Sequence, residues 1–147
     1  MKKQAYTMIA LLVLVGSMAV AAQAQSSGRT QLVANIPFEF NVGDKTMPAG
    51  EYSLSRVNPA SDPAVLHFRS KDGRANINVS MINVRGRAWE SPQLTFNRYG
   101  NKYFFAEAWA DGNASGLQAL KSRAERVAAS EMAGIKAKSE AVALKTR

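Results

Sequence analysis

The sequence predicts a mainly β fold: a small antiparallel β-sandwich or barrel followed by a C-terminal α-helix. Three observations carry that expectation. Apolar side chains recur at every second position in several short segments, the period of a strand with one buried face. Pairs rich in Gly, Asp and Asn, suited to tight turns, separate those segments at intervals of roughly ten residues. After Asp111-Gly112-Asn113 the composition shifts to Ala, Lys, Glu and Arg, which suits a helix.

In Ile36 to Arg56, the apolar Ile36, Phe38, Phe40 and Val42 alternate with Pro37, Glu39 and Asn41, so one extended strand is expected there. Thr30 to Asn35 either prolong it or form a short strand of their own. Gly43-Asp44 reads as a two-residue hairpin turn, because glycine at the first central position supplies the positive φ such turns need. Pro48-Ala49-Gly50 is a second turn, and Tyr52 and Leu54 begin the next strand. Residues 58–63 are dense in turn formers. Val65 to Arg69 and Ala75 to Val84 then read as strands joined by Asp72-Gly73. Arg85 to Pro92 is a basic connection that carries Trp89.

Gln93 to Trp109 is the second informative block. A turn at Gly100-Asn101 sets Tyr99 opposite Lys102, Arg98 opposite Tyr103, Phe96 opposite Phe105 and Leu94 opposite Glu107. Leu94, Phe96, Tyr103, Phe105 and Trp109 then share a core face, which leaves Phe104, Ala106 and Ala108 as a shallow apolar strip needing a cover. Ser122-Arg123-Ala124-Glu125 matches a capping box, in which the glutamate reaches back to the serine amide. The helix it starts would cover the strip with Ala124, Val127, Ala128 and Ile135. Gly134 is expected to end it, leaving Ile135 to Arg147 frayed or as a second short helix.

At the N-terminus, Lys2 and Lys3 precede an apolar run from Met8 to Val20 and the small residues of Ala22-Gln23-Ala24. That is the pattern of a secretory signal peptide over residues 1–24. The alternative, an uncleaved anchor helix, asks for about 20 apolar residues. Residues 25–116 are expected to form the β domain and residues 117–147 a basic helical tail. With no cysteine in the chain, disulfides, cysteine nucleophiles and a lipidated cysteine are all excluded. An exported domain of this size must then hold together by burial alone.

The formal charge is +8. Residues 25–116 carry 10 basic and 8 acidic side chains, against 7 and 3 in residues 117–147, so the basic character lies mainly in the tail. Export removes nucleic acid as a partner. An anionic envelope surface, a glycan or a protein is the more natural one.

The blocks IPFEFNVGDKTMPAGEY, LTFNRYGNKYFFAEAW and LKSRAERV, in that order, resemble a group of short exported proteins common in acidobacterial genomes. The resemblance spans Val33 to Val127. It implies an exported bacterial protein and transfers neither a catalytic residue nor a ligand. Ala119 departs from the pattern, since a proline often precedes the LKS-like segment.

Candidate chemistry is sparse. His67 is the one histidine, which excludes a histidine metal cluster and leaves a Ser-His-Asp triad hanging on it alone. It reads more simply as an exposed strand residue beside Arg69. Glu107, on the face expected to carry Phe105 and Trp109, could act as a proton donor if a partner carboxylate stood near. Asp111-Gly112-Asn113 has part of a calcium loop, but Ser122 occupies the twelfth position, where that loop needs glutamate. Asn78-Val79-Ser80 and Asn113-Ala114-Ser115 match the glycosylation sequon, which a bacterial source would leave silent.

Trp89, Tyr99, Tyr103 and Phe104 could form an aromatic platform, with most of these rings more readily explained as core. Trp89 stands out, because a loop between Arg87 and Glu90 does not need an indole for packing. The sequence therefore points to an exported, non-enzymatic β domain with a structural or binding role at the cell envelope, periplasmic or secreted, without cofactor or metal. Its expected binding residues are Trp89, Arg85, Arg87, Arg98 and Tyr99. The competing expectation is a hydrolase of cell-wall or polysaccharide material using Glu107 or Asp111, which requires a second carboxyl group about 5 to 9.5 Å away.

Overall fold

A computed structural model describes residues 31–58, 64–110, 112, 114–133 and 136–146. Residues 1–30, where the signal peptide is expected, residues 59–63, expected as a turn, and Asp111 and Asn113 lie outside these. The chain runs β1 (Leu32–Ile36), β2 (Phe40–Val42), β3 (Lys45–Met47), β4 (Gly50–Arg56), β5 (Ala64–Ser70), β6 (Asn76–Arg85), β7 (Gln93–Tyr99), β8 (Lys102–Trp109), β9 (Ser115–Ala119), α1 (Arg123–Glu131) and β10 (Lys138–Thr146). Eight strands close into an antiparallel barrel in the order β8-β7-β10-β1-β4-β5-β6-β9, with β9 returning to β8. Of the two architectures the sequence leaves open, this is the barrel.

The alternation expected from Ile36 to Val42 survives in burial: Ile36, Phe40 and Val42 are fully buried and Phe38 packs against the core. The single strand does not. The chain bends between β1 and β2, where Pro37 has no amide to give a ladder. The β2–β3 hairpin, with Gly43 at φ 61°, then lies beside β8 through a parallel pairing at Asn41 and Phe104. This hairpin extends the barrel wall past the end of β9, and it fills one end of the interior with Phe40, Val42 and Met47.

Aromatic rings pack that end edge to face. Phe40 meets Tyr52 at 5.2 Å and Phe96 at 5.4 Å, and Phe68 meets Phe105 at 4.9 Å. Phe38 stacks on Tyr103 at 3.9 Å. The one buried hydroxyl among these core rings is satisfied, since the Tyr52 O–H donates to the Pro48 carbonyl at 2.7 Å.

Register between β7 and β8 begins as expected, with Tyr99 opposite Lys102, Arg98 opposite Tyr103 and Phe96 opposite Phe105. A bulge then shifts it, so that Thr95 rather than Leu94 faces Glu107 and Leu94 faces Ala108. One extra residue in β8 reverses which side chains point inward beyond it. Ala108 consequently joins the core, and Glu107 and Trp109 turn to the outer face.

The largest departure concerns residues 117–147. They do not form a helical tail: Leu117–Ala119 belong to β9, and Lys138–Thr146 form β10, which pairs with both β7 and β1. Ala, Glu, Lys and Leu favour a helix locally. Without β10, however, β1 and β7 would each present an unpaired edge, and the backbone groups of those edges require partners. Val142 and Leu144, two apart, then bury inward.

Among the described residues only α1 is helical, and Met132 caps its C-terminus before Gly134. Ser122 caps the other end, its Oγ accepting from the Glu125 amide at 3.1 Å. The Glu125 carboxylate does not reach back to Ser122. It turns into the barrel wall and accepts from Asn97 Nδ2 at 2.8 Å and from the Tyr99 hydroxyl at 3.4 Å. The covering stripe is accordingly Glu125, Ala128, Ala129 and Met132, set over Tyr99 and Phe104, while Val127 stays exposed.

Candidate functional site

Most apolar side chains of the barrel strands point inward, and many alternate positions carry polar groups such as Ser53, Ser55, His67, Asn76, Asn78 and Ser80, with Phe104 on the outer side covered by α1 and Ile82 exposed. This is the reverse of the apolar-out, polar-in pattern of membrane-spanning barrels. No described helix is long and apolar enough to cross a membrane.

The aromatic packing does not continue through the barrel. Toward the end where β1 begins and β4 finishes, the inward residues change from rings to aliphatic side chains, and a cavity of about 300 Å3 opens. Leu32, Leu54, Leu66, Leu117 and Leu144 line it with Ala108, and Arg56, Asn83 and Ser115 supply polar atoms. Every barrel strand except β7 contributes a lining residue. An eight-stranded barrel is just wide enough for side chains to fill it or for one small ligand to be held. Here the two outcomes occupy opposite ends.

Trp109 forms one side of this mouth. Its indole lies over Gly116 and Gly86, where an added Cβ would sit 2.5 Å from the ring at either position. Those two glycines therefore keep the space the ring fills. The indole N–H donates to Glu107 Oε2 at 2.8 Å, and the same carboxylate accepts from Thr95 at 3.3 Å and from Gln118 at 3.5 Å. Glu107 thus braces the outer wall and holds Trp109 in place. It does not share a face with Phe105, because the bulge lies between them.

The expected binding residues divide between the two ends. Arg85 ends β6 opposite Ser115, and Arg87 and Trp89 lie in the connection that follows; all three are exposed on the cavity's side of the barrel, and none lines the cavity. Trp89 is 39% exposed, and its carbonyl accepts from the Gly112 amide at 3.0 Å. Arg98 and Tyr99 sit at the far end of β7. Tyr99 is buried beneath α1 with Phe104, and Tyr103 is stacked on Phe38, so no four-ring platform forms. His67 lies on the outer face of β5, hydrogen-bonded to Asn78. Among the described residues no group of three or more His, Cys, Asp or Glu could hold a metal ion.

Sequence reasoning missed the leucines of the mouth, because alternation marks them as core without saying that the core stops short of filling. A usable signal was present: inward positions near the turns of the packed end carry Phe and Tyr, whereas those at the other ends of the same strands carry Leu. In comparisons with protein-family models, curated proteins and solved structures, nothing matches this chain.

Proposed function

We propose that this protein is an exported, non-enzymatic barrel that holds a small apolar or amphiphilic molecule in its leucine-lined mouth. The observation that carries the reading is the cavity, whose volume lies at the lower end of the range for small-molecule sites and whose lining pairs aliphatic walls with a few polar groups. Export rests on Lys2-Lys3, the apolar run from Met8 to Val20 and Ala22-Gln23-Ala24. Trp89, Arg85 and Arg87 form the lip through which a ligand enters.

Both tryptophans of the chain stand at this end, so intrinsic fluorescence reports occupancy. Titration with alkanols and alkanoates of increasing chain length should give a saturable change with an optimum length. Ala108→Phe, which projects a ring into the cavity, should abolish that change while far-UV circular dichroism stays that of a folded barrel. A flat response across the whole series, or an unaltered one in Ala108→Phe, would refute the reading.

A further inference from the structure

A second concave feature lies at the opposite end, between the β7–β8 turn, Met132 and the start of β10. It encloses about 320 Å3 and is bordered by Arg98, Asn101, Met132, Lys136, Ala137 and Lys138. Three cationic residues thus border one groove.

Two of them, Arg98 and Lys138, face each other across the β7–β10 strand pair, with Glu140 the next residue along that face of β10. Like charges directly opposite each other destabilise a sheet. None of the three joins an ion pair among the described residues. The carboxylate at the adjacent end of α1, Glu131, is directed instead to Lys102 at 3.8 Å. The Arg98 side chain is held in place, with Nε donating to the Gly100 carbonyl at 2.8 Å and the guanidinium carbon 5.3 Å from the Tyr103 ring centroid. A cation fixed in this manner is prepared for an anion, because less side-chain entropy is lost on binding.

We propose that this groove binds a phosphate group, with Arg98, Lys136 and Lys138 taking its oxygens and Met132 and Ala137 receiving a carbon substituent. A doubly charged oxyanion suits a groove bordered by three cationic residues better than a single carboxylate does. The site is separate from the leucine-lined mouth and stands whether or not that mouth holds a ligand.

The test is a titration of the full chain with inorganic phosphate and with glycerol phosphate, followed by amide chemical shifts. Saturable shifts confined to Gly100, Asn101 and residues 136–138 are expected. Lys138→Glu should weaken them by about tenfold or more without lowering the melting temperature, since it places an acid opposite Arg98. Lys136→Gln should weaken them less. Co-sedimentation with phosphatidylglycerol vesicles, but not phosphatidylcholine vesicles, that is lost in Lys138→Glu would identify a lipid headgroup as the source. Shifts without sedimentation would identify a soluble phosphate. Absence of saturable shifts, or shifts and sedimentation unchanged in both variants, would overturn the proposal.

Discussion

The two ends of the barrel are built from the same strands and differ in what those strands point inward. At the packed end, β4 supplies Tyr52, β5 Phe68, β7 Phe96 and β8 Phe105, and the β2–β3 hairpin adds Phe40 across them. Toward the mouth, the same strands or their neighbours supply Leu54, Leu66, Ala108, Leu117 and Leu144. Rings from opposite walls meet at the centre, whereas aliphatic side chains of this size leave space between them. One end is therefore filled by side chains, and the other keeps a cavity of about 300 Å3.

That contrast can be broken most severely by opening the barrel itself. Removing residues 138–147 leaves β1 and β7 without a shared partner, and the expected outcome is loss of cooperative unfolding and of near-UV circular dichroism. A protein that still melted sharply would mean that β10 is dispensable to closure. Next in size is a paired substitution across the two ends. Phe96→Ala should cost about 3 to 5 kcal/mol, the range for buried aromatic truncation, whereas Leu117→Ala at the cavity wall should cost roughly 2 kcal/mol or less, because fewer packing contacts are lost there. Chemical denaturation of both variants decides the matter, and equal costs would show that the mouth is as tightly packed as the base.

The smallest expected effect concerns the β5–β6 turn at the packed end. The Asp72 carboxyl is held below its ordinary value by hydrogen bonds from the Ser70 hydroxyl and the Arg74 amide. Its folded value is the lower one, so its contribution is present above the unfolded value of about 3.8 and is lost as pH falls through the folded value. Melting temperatures of Asp72→Asn and wild type should therefore differ near neutrality and converge in acid. A difference independent of pH would assign the effect to turn geometry instead.

Much of the architecture was legible along the chain. Turns at Gly43-Asp44 and Gly100-Asn101, the register from Tyr99 through Phe96, the cap at Ser122 and the end of the helix before Gly134 all follow from local chemistry. The bulge in β8 was not legible, because nothing local to Ala106 distinguishes an extra residue from a paired one, and it moved Glu107 to the outer wall. Nor was β10, whose helix-favouring residues are held extended by two neighbouring strands remote in sequence. The cavity was not legible in the sequence: none of the expected binding residues lines it, and its leucines looked like ordinary core.

From its sequence alone, the chain determines a β domain without disulfides, its hairpins, its capped helix and the apolar identity of its interior. These depend on residues a few positions apart. Closure by the C-terminal strand, the split of Arg85, Arg87 and Trp89 from Arg98 and Tyr99, and the cavity itself were decided by the tertiary structure. Each depends on which strands become neighbours and on the volume left between opposite walls, quantities set by contacts between residues far apart in the chain.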